Sequence, residues 1–393
     1  MRGDGDAMRD GGTTPSAGLG AVVLQWGRIG CTGFGGPPAH IALLRELCVD
    51  RKRWLTATEF EDAVAACNLL PGPASTQLAI FCAWRVAGPI GAVVGGAAFI
   101  LPGLAMILVL AAVFLAGSPP DWVRGAGAGA GAAVAAVAVR AGFGLVPESW
   151  RRSSAHWRWV VYAALGGTAA ATVGPWLVLV LLGCGAVEVA CQLVGRGGRI
   201  GAHVWPLVAA AAATTTGGVV ALMWVAFKVG ALAYGGGFVI IPLMQADAVD
   251  AYHWMTNTEF LNAVALGQVT PGPVTQTVAV VGYAAYGVGG GLLAALVAFA
   301  PSFAFVLLGA RRFDALRNNV RVRAFLGGAG PAAIGAIIGV AIPLALALDE
   351  WWQFGVLAGA AVSVLVFRRG VVTTLLAAGA VGAVAGLVGA PLP

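Results

Sequence analysis

Two cations lie inside apolar stretches of this chain, 200 positions apart. Arg28 stands in the first stretch, and Lys228 stands at the matching position of a second. A charged side chain deep in a membrane helix costs roughly 2.5–3.5 kcal/mol on insertion scales, so it is expected to face a partner or a water-filled site. Snorkelling to the membrane interface is the alternative interpretation. Because both stretches keep a cation, we favour a binding site for a negatively charged substrate.

The motif Pro-Gly-Pro also occurs twice at this spacing, at Pro71-Gly72-Pro73 and Pro271-Gly272-Pro273. Each motif is predicted to end one short helix and begin another, since proline suits the first helical turn. Both new helices open with hydroxyl and amide side chains, which are Ser75, Thr76 and Gln77 in one copy and Thr275 and Gln276 in the other. Free backbone N–H groups beside such donors are typical of an anion site. Punctuation of an ordinary loop is the alternative.

Paired glycines and one histidine complete the set of candidate site residues. The glycines are Gly35-Gly36 and Gly235-Gly236. Glycine lets helix backbones approach closely and also frees amides to point at a ligand, and both roles stay open here. His40 has no counterpart, because Ile240 stands opposite. A single histidine is most often structural, although it could donate to an anion or carry a proton.

These coincidences extend along the whole chain, which aligns with itself at an offset of 200. The sequences Thr56-x-x-Glu59 and Thr256-x-x-Glu259 match, and each predicts a capping box rather than a proton-coupling carboxylate. We divide the chain into a polar, glycine-rich tail at 1–17, expected to be disordered and not a signal peptide, and two fused copies at 18–200 and 201–393. Many secondary transporters are built from such copies.

Composition indicates an integral membrane protein. Of the 393 residues, 59% are hydrophobic and only 10% are charged, whereas soluble proteins carry about 25% charged residues. The net charge is +6, but the basic residues are scattered and no aromatic-basic platform exists, so nucleic-acid binding is excluded. The excess of Lys and Arg instead sets orientation in the lipid bilayer.

Chemistry other than binding finds little support in the sequence. The six cysteines show no metal-binding spacing and are interpreted as small buried hydrophobes, and the four histidines are too scattered for a zinc site. No paired catalytic carboxylates, nucleophile motif or nucleotide fingerprint is present. We therefore expect no enzyme activity, no cofactor and no metal.

Hydropathy predicts an all-α fold of about ten membrane spans with two re-entrant hairpins. A span needs ~20 apolar residues. The predicted spans are 18–36, 88–116, 122–146, 157–173 and 176–194 in the first copy, and 210–236, 287–310, 324–348, 351–367 and 371–389 in the second. The helices around each Pro-Gly-Pro motif, 57–67 with 74–86 and 257–267 with 274–286, are too short to cross alone. Each pair is predicted to form a hairpin buried in protein or lining a wet cavity.

Charge predicts that the two copies are inverted in the membrane. Residues 45–53 are basic while 245–253 carry no Lys or Arg, and 311–323 are basic while 111–123 are not. The loop with Arg151 and Arg152 matches one with Asp349 and Glu350. Because basic loops favour the cytoplasm, matching loops are expected on opposite faces. An odd number of spans per copy agrees and places both termini outside.

The motifs resemble those of the chromate transporter family in its long form with two fused domains. The likeness covers nearly the whole chain beyond the tail and rests on Phe34-Gly35-Gly36-Pro37-x-x-His40, Trp54-Leu55 with Glu59-Phe60, Leu70-Pro71-Gly72-Pro73 with Gln77-Leu78-Ala79, Tyr234-Gly235-Gly236-Gly237, Ile241-Pro242-Leu243, Ala265-Leu266-Gly267-Gln268 and Thr270-Pro271-Gly272-Pro273. The resemblance implies export of chromate across the cell membrane, giving chromate resistance. Sulfate or another oxyanion is the alternative substrate.

The site inferred from the residues suits a tetrahedral dianion. It holds two cations and two positive helix ends, with no committed carboxylate. An inside-negative membrane potential pushes a dianion outward, so this potential, alone or with protons, could drive export. Sulfate uptake and an anion channel stay open as alternatives. A homodimer also stays open.

Overall fold

The computed structural model describes residues 17–68, 72–115, 117, 119–153, 155–172, 177–194, 217–233, 239–309 and 319–393. These residues form helices and connecting turns without any strand, so the predicted all-α fold is confirmed for them. Three predicted site residues, Pro71, Gly235 and Gly236, lie outside the described residues, as does nearly all of the predicted tail.

The described part of the first copy forms seven helices. They are α1 (Leu19–Thr32), α2 (Pro37–Arg45, continued as a π-helix over Glu46–Arg51), α3 (Ala57–Cys67), α4 (Ala74–Phe114), α5 (Asp121–Arg152), α6 (His156–Thr172) and α7 (Leu177–Val194).

The second copy repeats this order. Its helices are α8 (Gly218–Leu232), α9 (Ile240–Gln245, continued as a π-helix over Ala246–Ala251), α10 (Asn257–Val269), α11 (Thr277–Gly309, after a 3₁₀ turn at Val274–Gln276), α12 (Val320–Gly339), α13 (Ala341–Leu346), α14 (Trp351–Ala361, continued over Val362–Val366) and α15 (Val371–Leu387).

The first predicted span of each copy is instead one arm of a helical hairpin. Helix α1 has 14 residues and is about 21 Å long, shorter than a ~30 Å hydrocarbon core. The second arm of this hairpin is α2 with its π-helical extension. It folds back along α1, so that the ring of Trp54 stacks 6.1 Å from that of Trp26. The prediction of a full span at 18–36 is therefore wrong. In the second copy the described helix, Gly218–Leu232, has 15 residues, and the ends of the span predicted at 210–236 lie outside the described residues. The apolar stretch continues into the glycine turn, so hydropathy does not reveal where the helix stops.

In the second copy, an ion pair joins the two arms of this hairpin. Lys228 on α8 reaches Asp247 beyond α9, with 2.7 Å between Nζ and Oδ2. Residues 19 positions apart in a continuous helix would lie nearly 30 Å apart, so the chain must reverse between them.

The two hairpins predicted around Pro-Gly-Pro are present. In the first copy, the guanidinium of Arg85 near the end of one arm pairs with Glu59 at the start of α3. In the second copy, Gly267 lies directly against Thr277 across the motif. Both sequences predict a further break near 87 and 287, and the backbone leaves helical geometry there, with φ of +67° at Gly88 and +62° at Gly287.

Long helices follow the hairpins. Within the described residues, four helices are long and apolar enough to cross a membrane, namely Ala74–Phe114, Asp121–Arg152, Val274–Gly309 and Val320–Leu346, and four shorter apolar helices accompany them. The total count of spans stays a prediction. Cys31 and Cys191 are exposed, contrary to the expectation that the cysteines are buried.

The two copies are intertwined rather than side by side. At the centre, α4 and α11 pack antiparallel, with Gly96 against Phe303 and Leu108 against Gly291. At the periphery, α5 packs on α15 of the other copy, and α12 packs on α6 and α7. Glycines such as Gly125 on α5 allow this close backbone approach.

Candidate anion-binding site

The turns of the hairpins, called the tips, are the glycine turn after α1 and the two Pro-Gly-Pro turns, and at these tips each copy contacts the other. The backbone N–H of Gly272 donates to the carbonyl of Gly33, 3.1 Å away. Gly36 lies against Val274, which follows the second Pro-Gly-Pro motif. Conversely, Gly72 of the first motif lies close to the carbonyl of Gly230 on α8. Each Pro-Gly-Pro turn therefore packs on the other copy's first hairpin.

Glycine is required at these turns because the backbone is left-handed or otherwise closed to L side chains. The φ angles are +99° at Gly35, +73° at Gly36, +117° at Gly72 and +97° at Gly272. The described glycines among the predicted candidate ligands thus shape the turns first.

His40 is fully buried and links three of the tips. Its Nε2 lies 2.9 Å from the carbonyl oxygen of Gly33, the same oxygen that accepts from Gly272. A carbonyl only accepts, so Nε2 carries the proton and Nδ1 accepts from the Ser75 hydroxyl at 3.3 Å. The ring edge also packs on Phe99, with centroids 5.0 Å apart. Both ring nitrogens are engaged with protein, which supports the structural interpretation of this histidine.

Hydroxyls from both copies are buried at the tips without hydrogen-bond partners among the described residues. These are the Oγ1 atoms of Thr76 and Thr275 and the Oγ of Ser302. The three residues are at most 1% exposed. Native proteins pair nearly all buried polar groups, so three unpaired ones need an explanation, and a bound ligand supplies one.

Ser302 was missed by the sequence reasoning. It lies on α11 and its Oγ faces Gly72 of the other copy. Pro102 stands at the matching position of the first copy, so the repeat did not single it out. The only sequence signal was a lone hydroxyl within a long apolar helix.

Amide side chains surround the same turns. The Nε2 of Gln276 donates to the carbonyl of Ile100 at 2.8 Å, which ties the second motif to α4. The Nε2 of Gln77 lies close to Gly72. Both glutamines are fully buried.

The start of α4 adds backbone donors. The amides of Thr76 and Gln77 donate back to Pro73 at 3.0 Å, so the helix begins directly at the motif. The first N–H groups of a helix have no partner within it, and the aligned peptide dipoles make this end positive. The remaining free amides at this helix start, together with the buried hydroxyls, can donate hydrogen bonds to the oxygens of an anion.

The two predicted cations are not equivalent. Lys228 is held in a nearly buried ion pair, with side-chain exposures of 15% for the lysine and 10% for Asp247. The expectation of a site without a committed carboxylate is therefore wrong for this copy. Leu47 occupies the matching position in the first copy, so no such carboxylate faces Arg28 there. The repeat directed attention to the cations, while the carboxylate appears in one copy only.

Arg28 lies on α1 one helical turn before Gly33, with an exposed side chain. Within the described part of the chain it forms no ion pair. Its charge is thus uncompensated and close to the tips in sequence.

The capping boxes are confirmed. Glu59 accepts from the Thr56 amide at 2.9 Å, and Glu259 accepts from the Thr256 amide at 2.7 Å. The hydrogen bond from the Thr56 amide is the largest cause that lowers the pKa of Glu59, with a further contribution from Arg85. These carboxylates are committed to helix starts and to closing the hairpin.

Comparisons with known proteins agree with the repeat. The model of the chromate transporter family matches residues 20–189 and 220–385. The chromate transport protein of Cupriavidus metallidurans is 31% identical over 97% of this chain and 95% of its own length. A chromate transport protein of Pseudomonas aeruginosa is 28% identical over 82% of this chain and 80% of its own. No solved structure matches the chain.

Proposed function

Because the chain belongs to the chromate transporter family, we propose that it carries chromate, or a similar tetrahedral oxyanion, across the cell membrane as a secondary active transporter. The observation that carries this proposal is the set of unpaired buried hydroxyls of Thr76, Thr275 and Ser302. They come from both copies and adjoin two helix starts, which suits an anion with oxygens on all sides.

In this proposal the substrate lies between the two Pro-Gly-Pro turns. The hydroxyls donate to its oxygens, and Gln77 and Gln276 border it. Gly35, Gly36, Gly72 and Gly272 let the backbone approach the substrate, and Gly235 and Gly236 are assigned to the site from the sequence alone. His40 and Ser75 position the tips, and Arg28 supplies positive charge without contributing to the tip packing.

Lys228 takes a different role from Arg28 in this proposal. It contacts the anion only when its bond to Asp247 opens, since both oxygens of that carboxylate lie within 3.0 Å of Nζ. The substrate therefore competes with a carboxylate in one copy and not in the other.

Alternating access follows from moving the hairpin tips. The candidate site is closed to solvent, with Thr76 and Gln276 fully buried. Displacement of one copy's hairpins relative to the other's would open it to a single face. The antiparallel pairing of α4 with α11 supports the proposed inversion of the copies, which is the arrangement in many carriers with a site at the midplane.

The basic face is proposed to be cytoplasmic. Arg152 of the first copy and Arg323 of the second line one cavity, so two loops with an excess of arginine lie on the same side of the molecule. Positive loops favour the cytoplasm. Moving a dianion outward across an inside-negative potential of 100 mV then releases about 4.6 kcal/mol, twice the single-charge value, and this favours export.

The test is anion flux into inverted membrane vesicles, with chromate and sulfate in competition and with the potential set or collapsed. We expect saturable chromate entry that rises when the potential is set and that falls in Arg28→Ala and in the double variant Lys228→Ala/Asp247→Ala. Arg51→Ala removes an equal charge from the exposed end of the π-helix that follows α2 and serves as the matched control.

If both test variants moved chromate at the parental rate, Arg28 and Lys228 would not belong to the binding site. Flux that does not saturate would indicate a channel. Preferential entry of sulfate would assign a different oxyanion to the same hydroxyls.

A further inference from the structure

A second polar cavity lies away from the hairpin tips, where α5 ends and α6 and α12 begin. It has a volume of about 380 Å³. Its charged lining comprises Arg152, Arg158, Arg323 and the carboxylate of Glu188. Three guanidiniums against one carboxylate leave a net charge of +2 on the lining.

Glu188 is already satisfied by protein groups. It is 4% exposed and accepts from Tyr162 at 3.1 Å and from Gln192 at 3.1 Å, while Arg158 lies 3.3 Å away. The network fixes the guanidinium of Arg158 at the wall of the cavity, where its Nε is buried without a hydrogen-bond partner.

Arg323 leaves positive charge uncompensated across this cavity. It forms no ion pair within the described ranges, whereas Arg152 is paired with Glu148 at 3.4 Å. Arginine guanidiniums bind phosphate oxygens through well-directed, charge-assisted hydrogen bonds. The cavity therefore suits a phosphate group.

An apolar groove of about 450 Å³ continues from the cavity along α6 and α7. The two share Arg158 and Tyr162, so the groove begins where the guanidinium ends. Beyond that point its walls are apolar side chains, among them Leu165 and Val187. Trp157 stands at the edge and is 70% exposed, as expected of a residue at the interface between lipid and water.

We propose that the cavity and groove together bind one anionic glycerophospholipid per chain. The phosphate lies between Arg158 and Arg323, and one acyl chain lies in the groove between α6 and α7. Basic pockets between membrane helices are suited to anionic headgroups. A small free oxyanion fits poorly, because 380 Å³ corresponds to about a dozen water molecules at ~30 Å³ each, and it would leave the groove empty.

The second copy lacks this chemistry. Ala358, Val362 and Val388 stand at the positions matching Arg158, Tyr162 and Glu188. One lipid per chain is therefore expected rather than two, and the site breaks the internal symmetry of the molecule.

The experiment counts retained lipids by native mass spectrometry. The delipidated full chain is incubated with equal amounts of phosphatidylglycerol and phosphatidylcholine. We expect one retained phosphatidylglycerol, preferred roughly tenfold over phosphatidylcholine, because both lipids carry the phosphate but the choline cation of the second is repelled by the positive lining. Arg323→Gln should remove this preference, whereas Arg321→Gln, on the same helix start but outside the cavity lining, should keep it.

Two further arms separate lipid from other ligands. Val187→Trp fills the groove without changing charge and should weaken retention of phosphatidylglycerol. Inorganic phosphate in large excess should not displace the lipid. Displacement by phosphate, equal retention of both lipids, or full retention by Arg323→Gln would each overturn the proposal. None of these measurements depends on whether the chain moves chromate.

Discussion

At the scale of single residues, the unpaired hydroxyls at the tips are the features whose free-energy cost points to a bound ligand. A buried hydroxyl without a partner costs free energy in the empty protein, and this cost is recovered when a ligand accepts the hydrogen bond. Thr76 and Thr275 are the two cases that the repeat relates through the same Pro-Gly-Pro motif. Binding and stability should consequently respond in opposite directions when such a hydroxyl is removed.

Replacing Thr76 or Thr275 with valine tests this opposition. Each change should weaken chromate binding by roughly tenfold, since a hydrogen bond to a charged group contributes about 1.5 kcal/mol or more. The free energy of unfolding should stay equal or rise, because no protein hydrogen bond is lost. Binding is measured by calorimetry and stability by thermal unfolding.

Thr270→Val is the matched control for this pair. The Thr270 hydroxyl is also buried but already donates to Leu266 at 2.8 Å. Its loss should lower stability by about 1 kcal/mol and leave chromate affinity unchanged. If Thr76→Val behaved like this control, the Thr76 hydroxyl would have no part in binding.

The ion pair between Lys228 and Asp247 is the second residue-scale feature. Asp247→Leu gives the second copy the leucine found at position 47 of the first, but it leaves the lysine buried without a counter-charge. Stability should fall by about 3–5 kcal/mol. The double variant Lys228→Met/Asp247→Leu should recover most of this loss, as followed by the thermal unfolding midpoint.

If Asp247→Leu were as stable as the parent, the ion pair would not be buried in the membrane-embedded protein. A stable double variant that no longer moves chromate would separate the transport role of Lys228 from its structural role.

At the scale of elements, the helical hairpins are the units that repeat most faithfully. Both copies cap the helix after the π-helical turn with Thr and Glu, and both place a residue with positive φ just before, Arg53 at 52° and His253 at 51°. In the first copy Glu59 also reaches Arg85, so one carboxylate caps a helix and closes the hairpin.

The stability that Glu59 contributes should depend on pH. Its pKa in the folded protein is below the ordinary value of 4.5, because the Thr56 amide and then Arg85 favour the charged form. The contribution is therefore complete above that ordinary value and is lost as pH falls through the lower, folded value. The difference in unfolding midpoint between parent and Glu59→Gln should shrink in acid.

Glu61→Gln on the same helix is the control, since its ion pair with Arg45 is well exposed and contributes little. A Glu59→Gln deficit that is equal at neutral and acidic pH would contradict the linkage.

The ends of helices were predictable where particular residues fix the local backbone. Proline, glycine and the Thr-x-x-Glu pattern located α3, the second motif and the break at Gly88, because each fixes backbone geometry locally. The return of α2 along α1 was not predictable. It depends on left-handed glycines within an apolar stretch and on contacts such as Trp26 with Trp54, which lie 28 residues apart.

Site residues were predictable to the extent that both copies share them. Thr76 and Thr275 each follow a Pro-Gly-Pro motif, and their counterparts Gln276 and Ser75 are also polar. Ser302 and Asp247 stand opposite Pro102 and Leu47, so the repeat does not single them out. Tertiary packing brings those two into place, and periodicity carries no information about it.

At the scale of the whole molecule, orientation is the property that transport depends on most. The proposed topology places Arg151 and Arg321 on the cytoplasmic side and Asp349 on the other. Cysteine replacements at these positions, in a background with Cys31→Ser and Cys191→Ser, should react accordingly with a membrane-impermeant maleimide. The first two should label only after permeabilisation, and the third should label in intact cells.

Labelling of positions 151 and 321 from opposite sides would contradict the common basic face. Labelling of 349 and 321 from the same side would show that α12 and α13 do not cross the membrane.

Because helices of each copy pack against helices of the other, neither copy can bury its surfaces alone. Gly125 and Gly382 face each other across the junction of α5 and α15, and a side chain added to either one would strike the other's backbone. A gene encoding a single copy would leave such surfaces exposed until a second copy packed against them. The fused chain always contains the second copy. Each half can therefore have residues, such as Asp247 or Glu188, that a symmetric pair of identical copies would have to carry twice.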